Sequence, residues 1–89
     1  MTRRELVISN RLGLHARATA KLVQLLSTFR SQATLEARGR EVNAKSIMGV
    51  MLLAAGPGST VVLRVDGEDE LAAAEAAAAL FERRFDEDS

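Results

Sequence analysis

Ser59-Thr60-Val61-Val62-Leu63-Arg64-Val65-Asp66-Gly67 carries the clearest strand signal in the chain. Its β-branched run fits a pleated, half-buried surface, and Asp66-Gly67 supplies turn chemistry at its end. Glu68-Asp69-Glu70 follows and puts acid at a helix start, where the backbone dipole favours it. Leu71, Ala74, Ala78, Phe81 and Phe85 then read as one apolar stripe of a last helix. The alanine-rich run inside it is a strong helix former. Asp86 to Ser89 is expected to fray.

Working back from that strand, Pro57 and Gly56 close an apolar segment running from Ile47 to Leu53 or Ala55, with Gly56 expected at the position just past a helix end. Ser46 in front of it has the right side chain for an N-cap. Ala33–Ala37 and Arg40–Asn43 alternate weakly around Arg38-Gly39, which predicts a β-hairpin with a two-residue turn. Leu22, Leu25, Leu26 and Phe29 fall at helical spacing, with Ala18 one turn earlier, so a helix should begin near Ala16. Glu5-Leu6-Val7-Ile8 reads as a first strand. Asn10 to Leu14 reads as its loop, with Gly13 allowing a left-handed turn. The order β-α-β-β-α-β-α predicts an α+β open-faced β-sandwich: a four-stranded antiparallel sheet with three helices on one face. The whole chain, residues 1–89, should form one domain.

The chain's composition removes several function classes. There is no cysteine and only one histidine, His15, so a transition-metal site is not expected, and no cofactor motif is present. The apolar run Leu6-Val7-Ile8 is much shorter than a signal-peptide core, and no run is long enough to span a membrane. A monomeric cytoplasmic protein with no membrane insertion is the expectation. Without Tyr or Trp to stack bases, and without a dense basic block, nucleic-acid binding is disfavoured. Net charge is zero, yet residues 1–45 hold nine Lys/Arg against three Asp/Glu, and residues 46–89 hold the reverse. Either a basic surface attracts an acidic partner, or the halves mix in space.

The remaining chemistry converges on Gly13-Leu14-His15-Ala16-Arg17. An imidazole that titrates near neutrality is a competent nucleophile toward phosphorus. A helix start beside it offers unpaired N–H groups, here from Ala16 and Arg17, and the Arg17 guanidinium can neutralise phosphate oxygens. No carboxylate pair, Ser/His/Asp set or Gly-rich phosphate loop accompanies it. That pattern fits a phosphoryl acceptor whose partners supply the machinery, rather than a self-contained enzyme. From these residues alone, an exposed N-cap histidine without a role is equally open.

Gly13-Leu14-His15-Ala16-Arg17-Ala18-Thr19-Ala20 resembles the active-site segment of the HPr family, the histidine-containing phosphocarriers of the bacterial phosphoenolpyruvate:sugar phosphotransferase system. Val42-Asn43-Ala44-Lys45-Ser46-Ile47-Met48-Gly49-Val50-Met51-Leu52 resembles that family's second signature, around a serine that can be phosphorylated. The spacing of the two segments and the order of elements agree with the family over essentially the whole chain. The resemblance implies that His15 takes a phosphoryl group from enzyme I at Nδ1 and passes it to enzyme II A components, with Arg17 as the active-site arginine. It also implies Ser46 as a regulatory phosphorylation site for an HPr kinase/phosphorylase, and an exposed patch of Ile47, Met48 and Met51 that docks partners. On the residues themselves, a fully buried core helix and a plain serine cap are the competing readings. Two further functions stay open: a nitrogen-branch regulatory homologue, and a non-phosphorylated interaction module. Ala18 stands where the family usually has proline. This predicts slightly less rigidity near His15 and no loss of activity.

Overall fold

A computed structural model describes residues 1–87. Strands β1 (Thr2–Val7), β2 (Gln32–Ala37), β3 (Arg40–Asn43) and β4 (Thr60–Asp66) form one sheet in the order β1-β4-β2-β3, every neighbouring pair antiparallel. β4 is central, as its β-branched run requires: Val61, Leu63 and Val65 are completely buried between the sheet and the helices. The alternate residues face the other way. Arg3, Arg64 and Thr34 share one cross-strand row there, and Glu5, Val62 and Glu36 the next. Arg64 holds Glu36 at 2.6 Å across that face, which is the polar side of an open sandwich.

Three helices cover the apolar face: α1 (Ala16–Ser27), α2 (Ile47–Leu52) and α3 (Glu70–Glu82), followed by a short 3-10 turn at Arg84–Asp86. The architecture is the expected one, with differences at the edges. β1 starts at Thr2, because its polar residues pair with β4 at the sheet edge although they carry no apolar signal. The hairpin turn is made by Arg38 (φ 51°) and Gly39 (φ 78°), two left-handed residues that match the strand twist. α2 stops at Leu52 and the left-handed residue beyond it is Ala54 (φ 49°), not Gly56.

The stripe expected on α3 is rotated. Its buried residues are Ala73, Ala74, Ala77, Leu80 and Phe81, whereas Leu71 is 68% exposed. Alanines on the buried face let the helix lie close to β1 and β4, so a run with little contrast between faces hides which side packs. Phe85 is completely buried as expected, but it reaches the core from the turn after α3 rather than from the helix.

The acidic N-terminal end of α3 is tied to the rest of the fold. Asp69 gives no local cap. Its carboxylate accepts from the Arg30 and Ser31 amides at 2.9 Å each and from Ser31 Oγ at 2.5 Å. The Ser31 hydroxyl and the two amides hold its pKa down to about 2. Met1's ammonium lies 3.1 Å from Glu70.

Candidate functional site

The loop before α1 is built to hold His15 in place. Gly13 has φ 69°, and a Cβ there would meet the Ala55 carbonyl at 2.8 Å and Gly56 Cα at 2.9 Å. Only glycine allows the loop to lie against the 54–58 segment this closely. The next amide, Leu14 N–H, donates to Ala55 O at 3.0 Å, and the Leu14 side chain is buried. Asn10, also completely buried, donates from Nδ2 to Gly13 O at 2.8 Å. Thr19, buried one turn into the helix, returns its hydroxyl to Leu14 O.

His15 is the N-cap of α1, with extended backbone and no side-chain cap. The first intrahelical bond runs from Thr19 N–H to His15 O, so the amides of Ala16, Arg17 and Ala18 have no intrahelical acceptor. Ala16 and Arg17 are exposed, and the Arg17 guanidinium forms no ion pair among the described residues. Ala18 is fully buried at the third helical position, where a missing N–H would cost no helical bond.

The His15 ring leaves the capping position because another group holds it. Its Nε2 lies 2.5 Å from Glu87 Oε2, and the other oxygen of that carboxylate accepts from Asn10 Nδ2 at 3.0 Å. The expectation of a frayed tail therefore fails for Asp86 and Glu87; Asp88 and Ser89 lie outside the described residues. Arg84, Phe85 and Asp86 all have positive φ (55°, 56°, 61°), which turns the chain back toward α1. The deep burial of Phe85, its tilted contact with Phe81 (ring centroids 4.8 Å apart) and the Lys21 Nζ bond to Phe85 O at 2.9 Å fix this turn. Burial pushes the Glu87 pKa up. The hydrogen bonds from Asn10 and His15 and the charges of His15 and Lys21 together outweigh it, and the net direction is down. Asn10, Lys21 and Glu87 are site residues that sequence reading missed. No periodicity leads to a glutamate near the chain end, and only the net acidity of the second half hinted that carboxylates would return to the basic half.

α2 packs beside α1 and presents a largely open apolar surface. Only Val50 of its residues is buried. Met48 is 80% exposed, Ile47 44% and Met51 43%, so the fully buried alternative does not hold. Leu52 is also exposed and was not foreseen as part of this surface. Ser46 caps α2, accepting from Gly49 N–H at 3.1 Å, and is half-buried.

The charge asymmetry is resolved both ways. Arg4–Glu75, Arg30–Glu68 and Lys21–Asp86 pairs join the two halves. Arg38 and Arg40 instead donate to the carbonyls of Leu52, Leu53 and Ala54 at the end of α2, and Lys45 to Phe29 O. With Arg11 and Arg17, these cations make no carboxylate pair among the described residues, so positive charge flanks the apolar surface.

Comparison with known proteins matches residues 2–83 to the family model described as the PTS HPr component phosphorylation site. The chain is 62% identical to the phosphocarrier protein HPr of Xylella fastidiosa over 89 residues, covering all of both chains. It is 58% identical to that of Cupriavidus necator over 98% of each. A crystal structure of HPr from Thermoanaerobacter tengcongensis superposes with a TM-score of 0.97 at 43% identity, covering both chains fully.

Proposed function

The chain belongs to the HPr family of phosphotransferase-system phosphocarriers, and from that premise we propose that His15 is its phosphoryl acceptor. The donor is phosphorylated enzyme I, and the recipients are enzyme II A components in the cytoplasm. The observation that carries this reading is the contact between His15 Nε2 and the Glu87 carboxylate. A carboxylate 2.5 Å from Nε2 makes that nitrogen the proton-bearing one, so the lone pair lies on Nδ1. The amides of Ala16 and Arg17 are available to phosphate oxygens at the positive end of a twelve-residue helix. Arg17, exposed in that first turn, can follow the charge as phosphorus passes between nitrogens.

Ile47, Met48 and Met51 form the docking surface, enlarged by Leu52. Methionines adapt to several partners, and the surrounding arginines favour acidic ones. Ser46 is the control point. Phosphorylating it would leave α2 electrostatically favoured at its N-terminus while placing negative charge beside that surface. An HPr-type role is favoured over the nitrogen-branch homologue, because the Xylella and Cupriavidus relatives both carry the HPr name.

The test is phosphorylation by phosphoenolpyruvate, Mg²⁺ and enzyme I. The reading requires an acid-labile label that His15→Ala abolishes. A chain that stays unlabelled beside an active enzyme I is the non-phosphorylated interaction module instead.

A further inference from the structure

We propose that Glu87 keeps the Nε2 proton on His15 through the whole transfer cycle, so that the ring always departs as a neutral imidazole. This rests on His15 being the phosphoryl acceptor. Three independent features hold the carboxylate in place. Its Oε2 meets Nε2 at 2.5 Å. Its Oε1 accepts from Asn10 Nδ2, and the same nitrogen donates to Gly13 O, so both amide hydrogens are committed. Flipping that amide would set its oxygen against two acceptors. The buried Asn10 Oδ1 finds no partner among the described residues, an unfavourable state accepted while the donor side is fully used. The third feature is the left-handed turn at residues 84–86. Non-glycine residues are disfavoured in that region. Phe85 and Lys21 over-determine the turn all the same. A simple continuation of α3 would not bring residue 87 back to α1. Such strain held by its surroundings marks functional segments.

The electron accounting gives this carboxylate a task. The Nδ1 lone pair forms the bond to phosphorus, the donor's bond to phosphorus breaks, and its electron pair stays with the donor. The ring, still carrying its Nε2 proton, becomes cationic and faces the Glu87 anion. When the acceptor attacks phosphorus, the Nδ1–phosphorus pair returns to Nδ1 and neutral imidazole leaves with the proton it began with. Without the carboxylate, the phosphorylated ring gives that proton to water more readily, and the leaving group becomes an imidazolate, which is far poorer. Lys21 faces the pair from α1 beside Asp86, at 3.6 Å, and Arg11 and Arg17 flank it along the chain. They moderate the field but do not touch Nε2 in the described contacts. The His15 and Glu87 side chains keep 28% and 16% of their surface exposed, so water screens part of the interaction.

Hydrolysis of the isolated phosphorylated chain reads this out without any acceptor protein. Wild type, Glu87→Gln, Glu87→Ala and Asn10→Ala are phosphorylated with enzyme I and phosphoenolpyruvate, separated from both, and followed by ³¹P NMR from pH 5 to 10. The pH at which hydrolysis falls to half should drop by about one unit in both Glu87 variants, a tenfold loss of protonated rings above it. Asn10→Ala should move it part of the way. Glu87→Gln keeps the volume and an acceptor oxygen, so its shift reports charge rather than packing. Superimposable profiles for wild type and both Glu87 variants would overturn the proposal. A chain that enzyme I cannot phosphorylate would fail the His15 reading itself, and this proposal with it.

Discussion

Replacing Gly13 by alanine tests how the loop positions His15. Two costs are legible at this residue. Its φ of 69° lies in the left-handed region, where alanine costs about 1–2 kcal/mol. The new Cβ would also sit 2.8 Å from Ala55 O and 2.9 Å from Gly56 Cα, and both are backbone atoms that cannot rotate away. Forcing such a contact apart costs about 1–3 kcal/mol by analogy with overpacked cores. It also breaks the Leu14 N–H bond to Ala55 O. The two costs together are about 2–5 kcal/mol, or a fall in Tm of about 10–30 °C for a domain of this size. Gly39→Ala is the control. Its φ of 78° carries the same conformational cost, but nothing lies within 4 Å of a Cβ there. Urea titration by circular dichroism should put Gly13→Ala at least ~1 kcal/mol below Gly39→Ala. The folded Gly13→Ala fraction should accept phosphoryl groups more slowly from enzyme I, because the displaced loop carries His15. Equal midpoints for the two variants would refute the claim that the 54–58 segment clamps the loop.

Other substitutions probe the remaining elements. Met48→Asp, at the most exposed α2 position, should cut transfer both from enzyme I and to enzyme II A components by about tenfold or more, with thermal stability unchanged within about 0.5 kcal/mol. Ala18→Pro removes no helical hydrogen bond and stiffens the unfolded chain, so calorimetry should find a gain of about 0–1 kcal/mol and a transfer rate within tenfold of wild type. Asp69, held at about 2 in the folded chain, contributes stability that is complete above its ordinary pKa of 3.8 and is lost as pH falls from there through 2. Asp69→Asn should lower stability at pH 7 and flatten the acid limb between pH 4 and 2 in urea titrations. A variant with the wild-type acid limb would show that the carboxylate's contacts with residues 30 and 31 contribute nothing to folding.

How far these features could be read from the sequence depended on the local signal. β4 was legible because a β-branched run bounded by Asp66-Gly67 has one comfortable conformation. The hairpin was legible because Arg38-Gly39 sits between two alternating runs. Ser46 announced α2 as a cap, and Gly13 announced a left-handed turn. Leu71 misled because an alanine helix offers almost no contrast between its faces, and packing against β1 and β4 alone decides which side is buried. The glutamate on His15 was invisible for a different reason. It depends on three consecutive left-handed residues, Arg84, Phe85 and Asp86, none of which is a glycine to mark the bend. Local propensity argues against that turn, and the burial of Phe85 overrides it. Asn10 read as a plain loop residue because its two donor bonds run to a carbonyl and to a carboxylate 77 positions away. The site's histidine and arginine were thus open to sequence reading, but the groups that orient the ring were not.

The most direct measurement is the position of the bound phosphorus. The chain, labelled with ¹⁵N at its single histidine, is phosphorylated by enzyme I and phosphoenolpyruvate and examined by long-range ¹H–¹⁵N and ³¹P NMR. Before the reaction the neutral ring should carry its proton on Nε2, and afterwards phosphorus should be bonded to Nδ1 of His15 with that Nε2 proton still in place. Phosphorus on Nε2, on another residue, or on no residue beside an active enzyme I would contradict the relay built on His15.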